Sequence, residues 1–302
     1  MSSPDASSRG LARARAALAG NPSDGYGGAV LAVTVPALRA EASVRAVNGD
    51  AGIDPASELV EATVRRFGRS FRSDALQTAV RWRTSIPRGV GLGGSSAIVI
   101  STVRALCDLH GVTLSPAELA SFALQVETEE LGIVAGLQDR VAQAHGGLTF
   151  MDFGDDGRYE PLPPSLLPPL LVAWRPDAAQ ESDHVHRGLR MRFQAADAAI
   201  SDAMIQLAEL AREARAALVL GDRGQFAAAV DGSFDVRRRM LALDPRHVEM
   251  VECARSLGAS ANFTGSGGAI VAVCRDQLDR EQVSRALNEI GCPSLEVQVE
   301  GE

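Results

Sequence analysis

Between Pro87 and Ala97 the chain reads PRGVGLGGSSA, with four glycines inside six residues (Gly89, Gly91, Gly93, Gly94). Glycine takes backbone angles that other residues avoid and lets the main chain approach a ligand closely. Two hydroxyls, Ser95 and Ser96, follow directly, and then an apolar run with helical spacing to Leu106. Free N–H groups feeding a helix N-terminus make a cradle for phosphate, because unpaired amides and the helix dipole both favour anions. The two serines have the chemistry to cap that helix, touch a phosphate or hold a magnesium ion. Nucleotide chemistry is one reading of the stretch. A plain glycine-rich turn ahead of a helix is the other.

The commonest nucleotide loop is excluded. Its G-x-x-x-x-G-K-[ST] pattern needs a lysine to reach the outer phosphates, and all 30 basic residues of this chain are arginine. The same absence removes a Schiff-base lysine and ordinary pyridoxal-phosphate chemistry. A dinucleotide fingerprint fits poorly, since Ser96 stands where the third glycine after Gly91 and Gly93 should be.

Three further stretches carry groups that could do chemistry. Asn21-Pro22-Ser23-Asp24-Gly25-Tyr26 crowds polar donors and acceptors beside bare backbone, suited either to a surface turn or to a small hydroxyl-rich substrate. Glu127, Glu129 and Glu130 end one helical stretch, and Asp139 with Arg140 opens the next. These carboxylates are either solvated and dipole-favouring, or a magnesium ligand and a base kept ionised by an arginine. Gly265-Ser266-Gly267-Gly268 forms a second glycine turn.

The elements that must position these groups follow from periodicity. Strands are expected at 29–35, 39–47, 81–85 and 148–153, and helices at 56–67, 95–109, 115–131 and 137–144. Glu160–Pro169 holds five prolines in ten residues, which bars a helix interior or a central strand and marks a domain boundary. Beyond it come a strand at 170–174, one long helix at 193–220, helices at 223–241 and 245–257, strands at 261–264 and 269–274, a helix at 278–290 and a strand at 294–299. That order is an α+β layered pattern.

Composition narrows the partners. A length of 302 residues, 46% apolar, allows two domains with sizeable cores. The formal charge of −8 argues against nucleic acid and anionic membranes. No apolar run reaches membrane-spanning length, the first residues lack a secretory stretch, and the four cysteines have no metal spacing. A cytoplasmic protein acting on a small molecule is expected, as a monomer or homodimer.

In chain order, Pro87–Ala97, Gly136–Arg140 and Thr264–Gly268 resemble the three signature regions of the GHMP kinase superfamily (galactokinase, homoserine kinase, mevalonate kinase, phosphomevalonate kinase). Residues 20–28 (GNPSDGYGG), 130–153 (ELGIVAGLQDRVAQAHGGLTFMDF), 234–240 (FDVRRRM) and 263–270 (FTGSGGAI) are similar to its glucuronokinase-like branch. The resemblance implies a two-domain α+β architecture: a disordered tail at 1–10, an N-terminal α/β domain at 11–160, a ferredoxin-like domain at 161–302, and an active site in the cleft between the domains. It implies ATP and Mg²⁺, and phosphorylation of D-glucuronate at its anomeric hydroxyl. Another sugar or sugar acid (galacturonate, galactose), a mevalonate-type alcohol, or a non-enzymatic ATP and sugar sensor are the alternatives.

Residue roles are carried by the same resemblance. Gly91, Leu92, Gly93, Gly94, Ser95, Ser96 and Ala97 would wrap the triphosphate. Ser95 or Ser96, with Glu127 (Glu129 as the fallback), would hold Mg²⁺. Asp139 would be the catalytic carboxylate, paired with Arg15, for which Arg13 competes. Gly265, Ser266, Gly267 and Gly268 would close over phosphates and substrate, and Asn21, Asp24 and Tyr26 would contact the sugar. A uronate carboxylate needs a cation, for which Arg140, Arg187, Arg190, Arg237 and Arg238 are candidates.

Overall fold

Small apolar residues alternating with arginine (LARARA) give a strand, β1 (Ser8–Ala19), whose Ala12, Ala14 and Ala16 are fully buried. The structure, a computed structural model, describes residues 7–47, 51–154, 157–178 and 182–298. Ser8–Gly10, assigned from sequence to a tail, begin this strand, while residues 1–6 of that tail lie outside the described residues.

Two expected strands at 29–35 and 39–47 are one, β2 (Ala29–Ala46). Pro36 is tolerated within it because the partners change there: Ala29–Val33 pair with β5 (Leu148–Asp152), and Ala40–Ala46 with β4 (Thr78–Thr84). A proline needs no ladder donor in the gap between the two pairings. β3 (Ile53–Asp54) runs parallel to β4, and β6 (Arg158–Leu162) closes the other edge beside β5. An edge is where the proline-rich stretch, through Pro161, can join a sheet. β1 also pairs with β2.

Helices α1 (Glu58–Ser70), α2 (Gly94–His110), α3 (Pro116–Gln125) and α4 (Gln138–His145) accompany these strands. Ser115 caps α3 in a reciprocal capping box with Glu118. The helix expected over 115–131 changes at Gln125 to a wider π-turn at Val126–Glu130.

Strands β7 (Leu170–Trp174), β8 (Ser260–Phe263), β9 (Ala269–Val273) and β10 (Ser294–Glu296) form an antiparallel sheet in the order β10-β7-β9-β8. That is the ferredoxin-like order. α5 (Ser182–Gln194), α6 (Ala198–Leu220), α7 (Arg223–Met240) and α8 (Pro245–Ser256) lie between β7 and β8 in the chain, and α9 (Gln277–Glu289) between β9 and β10. The single helix expected at 193–220 is divided, because Ala196 turns to a φ of 55° and Asp197 caps α6. Leu171, Phe234, Met250, Phe263, Ile270 and Leu287 anchor the core on this sheet.

The chain divides into two compact units. Of the described residues, those up to Ala14, Leu38–Ile86 and Gly93–His145 form the first. Arg15–Ala37, Pro87–Leu92 and those from Gly146 onward form the second. The chain passes between these units several times.

Candidate active site

The glycine loop runs through both units: Gly91 and Leu92 belong to the second, Gly93–Ala97 to the first. In the first unit Gly93 sits at the N-cap of α2 with a φ of 71°, a left-handed conformation that favours glycine, and supplies no side-chain cap. The amides of a helix's first turn have no partners inside the helix, so this end suits an anion. Ser96 is fully buried and its Oγ donates back to Gly93 O at 3.1 Å. Ser95 is exposed and its Oγ donates to Glu127 Oε1 at 2.7 Å. The hydroxyl pairs with the carboxylate through Ser95 alone.

Glu127 lies in the π-turn and is 1% exposed. Its other oxygen, Oε2, accepts from Arg140 Nε at 2.9 Å and also from Nη2, while Arg140 Nη1 donates to Gly136 O at 2.6 Å. Glu129 and Glu130 are held elsewhere, both by Arg66, with Arg69 also on Glu130. Those arginines hold the Glu130 carboxyl below the usual range, Arg69 contributing most. The geometry thus separates Glu127 from its acidic neighbours. A hydroxyl and a carboxylate oxygen are the hard donors Mg²⁺ takes, and Mg²⁺ asks few ligands of a protein. Ser95 and Glu127 fit it.

Asp139 and Arg140 occupy the first turn of α4. From the same helix Gln143 Nε2 donates to Gly93 O at 2.8 Å and to Arg13 O at 2.9 Å. α4 is thereby tied to the start of α2. Arg140, a sequence candidate for a substrate carboxylate, is 4% exposed and is instead bound to Glu127.

In the second unit Arg15 is 3% exposed, and its Nη1 donates to Gly91 O at 2.8 Å and to Thr264 O. Thr264 Oγ1 donates to the same Gly91 O at 2.9 Å. Backbones approach so closely that a Cβ on Gly91 would stand 2.9 Å from Gly267 O, and one on Gly265 would clash with Gly91 O. The first and third glycine motifs are therefore packed main chain to main chain, with Arg15 stitching them. Arg13, two residues along the strand on the same face, takes no part in this stitching: its carbonyl receives Gln143 in the first unit.

Asn21 is buried, donating to Phe263 O at 3.4 Å and Gly265 O at 3.3 Å, and Asn262 Nδ2 donates to its Oδ1 at 3.4 Å. Arg237 is 1% exposed; Nη1 donates to Asn21 O at 3.4 Å, Nη2 to Gly265 O at 2.7 Å, and its guanidinium lies 5.3 Å from the Phe263 ring centroid. Burial, helped by the charge of Arg15, pushes Arg237 down to about 9. Arg237 and Asn21 thus hold the third motif from below. Asp24 is buried, Tyr26 is half-buried against Phe193 of α5, and Ser266 is half-buried in the turn between β8 and β9.

Sequence reasoning gave no individual role to Gln143, Thr264 and Asn262, which bind the motifs together through backbone carbonyls. Thr264 was legible as the neighbour of a glycine turn. Gln143 lies in the 130–153 stretch that carries the resemblance, and Asn262 carried no signal beyond being a polar residue in apolar surroundings.

Residues 58–147 match the family description "GHMP kinases N terminal domain" and residues 214–291 match "GHMP kinases C terminal". The chain is similar to glucuronokinase 1 of Arabidopsis thaliana, 41% identical over 207 residues (65% of this chain, 57% of that protein). It is also similar to probable glucuronokinase 2 of the same plant, 41% identical over 203 residues (63% and 55%). The matched part spans little more than half the length of these relatives. Among solved structures, Lactococcus lactis galactokinase complexed with galactose superposes with a TM-score of 0.83 at 17% identity, covering 98% of this chain and 94% of that one.

Proposed function

Because this chain belongs to the GHMP kinase family, we propose that it transfers the γ-phosphoryl group of ATP to the anomeric hydroxyl of D-glucuronate. The products are ADP and D-glucuronate 1-phosphate. The observation that carries this reading is the cluster at the start of α2. There Ser95 and Glu127 form a hard-oxygen pair, and Arg140, which fixes Glu127, is the residue next to Asp139.

Phosphoryl transfer asks the protein mainly to hold two oxygens in line and to neutralise spreading charge. The Gly91–Ala97 loop offers main-chain amides and a helix N-terminus to the phosphates. Ser95 and Glu127 would hold Mg²⁺, which when bound would neutralise phosphate charge. Asp139 accepts the proton of the attacking hydroxyl or orients it, and Arg15 supplies positive charge beside the glycine motifs. Asp24 and Tyr26 contact the sugar. Glucuronate as acceptor is supported by the likeness to the two plant glucuronokinases. The charge of −8 supports a reading without nucleic-acid or anionic-membrane partners; a cytoplasmic setting and action as a monomer or homodimer belong to the same proposal.

ADP production by purified protein with Mg·ATP tests the proposal across glucuronate, galacturonate, glucose, galactose, mannose, mevalonate and homoserine. Activity confined to glucuronate and lost in Asp139→Asn is expected. Activity with a different acceptor would overturn the substrate, and tight ATP binding without turnover would favour a sensor.

A further inference from the structure

We propose that Arg190 binds the carboxylate of the sugar-acid substrate and so sets a preference for uronates over neutral sugars; this deepens the kinase reading above and rests on it. A carboxylate acceptor needs a cation able to meet it bidentately, and geometry distinguishes the arginines near the recognised motifs. Arg140 is buried and committed to Glu127. Arg237 is buried and committed to the carbonyls of Asn21 and Gly265. Arg238 is paired with Glu252 at 3.0 Å. Arg187 already has a partner. Arg190 is exposed and, among the described residues, has neither an ion pair nor a hydrogen bond.

Its position is fixed by its helix. Leu189 is 1% exposed in a cluster against which Tyr26 packs. Phe193 sets its ring 4.6 Å from that of Tyr26 at 51°. Arg190 lies between these two anchors and three residues before Phe193, a spacing that puts both on one side of the helix. α5 is thus clamped to the Ser23–Tyr26 turn, and Arg190 stands at the seam. The hydroxyl of Tyr26 registers it: burial raises that group above its ordinary value, the charge of Arg190 opposes this, and Asp24 adds to it. A hydroxyl, a carboxylate and an open guanidinium therefore face the same small region. The first two suit sugar hydroxyls and the third suits a carboxylate.

The test is steady-state ADP production by the whole protein with glucuronate and with its neutral amide. Wild type is compared with Arg190→Ala, Arg190→Lys and Arg187→Ala. Arg190→Ala is expected to raise KM for glucuronate about ten- to hundredfold, the loss of a charge-assisted hydrogen bond. Its kcat, its KM for ATP and its KM for the amide stay near those of wild type. Arg190→Lys should recover part of the loss, since lysine keeps the charge but not the fork, and Arg187→Ala should change little. An unchanged KM for glucuronate in Arg190→Ala overturns the assignment and leaves the kinase reading standing. If wild type turns over no uronate, the Arg190 assignment and glucuronate as acceptor fall together, while turnover of a neutral sugar would keep the kinase itself. An equal rise in KM for glucuronate and its amide would assign Arg190 to support of the turn and overturn its role as carboxylate reader.

Discussion

Arg140 grips Glu127 with Nε 2.9 Å from Oε2, inside an interior where their side chains are 4% and 1% exposed. The pair joins the π-turn to α4 and leaves Oε1 of Glu127 turned to Ser95. Its consequence is directional: a carboxylate held on one oxygen presents the other in a fixed place.

Breaking this pair from the arginine side leaves a buried charge without compensation. Arg140→Met is expected to lower unfolding stability by about 3–5 kcal/mol. The double variant with Glu127→Gln should cost less than the sum of the two single changes, with a coupling of about 0.5–3 kcal/mol. Denaturant midpoints of the four proteins measure it. Additive effects would mean that the two side chains do not act as a unit.

The two serines are expected to separate stability from activity. Ser96→Ala removes a buried hydroxyl that donates back to the Gly93 carbonyl at the start of α2 and should cost about 1 kcal/mol of stability, with ATP turnover largely kept. Ser95→Ala should leave the thermal midpoint nearly unchanged and reduce kcat with a weakened Mg²⁺ dependence. Magnesium titrations of turnover beside thermal melts would show the division. The reverse pattern would move the metal role to Ser96.

Much of the site was legible because its spacing is local. The turn from Gly91 to Ala97, the first turn of α4 and the third glycine motif are each read from a few adjacent residues. What escaped was either tertiary or degenerate. Arg13 and Arg15 share a strand face, so alternation could not separate them; in the fold only Arg15 is seen bonded to the glycine-motif carbonyls of Gly91 and Thr264. Glu127 and Glu129 lie two residues apart in an acidic run, and only the π-turn shows that one is turned inward and the other to Arg66. The break before α6 rests on Asp197 as a cap within an alanine-rich run, where helix propensity alone points to continuity. Arg140 and Arg237 each read as cations open to a ligand, and burial shows both committed to the protein.

Acid should weaken the fold through histidine. Burial is the largest cause holding His110 below its ordinary value, with Asp74 opposing and Arg72 adding, and burial holds His145 down as well. In the unfolded chain each takes its proton near pH 6.5, while in the fold each takes it only at lower pH. The unfolded state binds more protons in that window, so this contribution is complete above about pH 6.5 and is lost as pH falls toward the folded values. Urea midpoints between pH 7.5 and 5 should decline in wild type and decline less steeply in a His110→Leu, His145→Leu variant. Equal slopes would remove the histidines from the explanation.

Gly265 offers the sharpest probe of how the second unit holds its motifs. A methyl added there meets the carbonyl oxygen of Gly91, a main-chain atom that is also bound by Arg15 and Thr264 and has little freedom to yield. Gly265→Ala should therefore force the two loops apart at a cost of about 1–3 kcal/mol, in the range of other overpacked sites. Because Gly91 leads into the loop proposed to hold the phosphates, KM for ATP should rise in step. Gly25→Ala is the matched control, since a Cβ there meets nothing within 4 Å, and its effect should stay within about 0.5 kcal/mol. Denaturant unfolding and ATP kinetics on both variants decide it. If Gly265→Ala behaves like Gly25→Ala, the close approach of Gly91 and Gly265 sets neither the stability of this unit nor the shape of its loop.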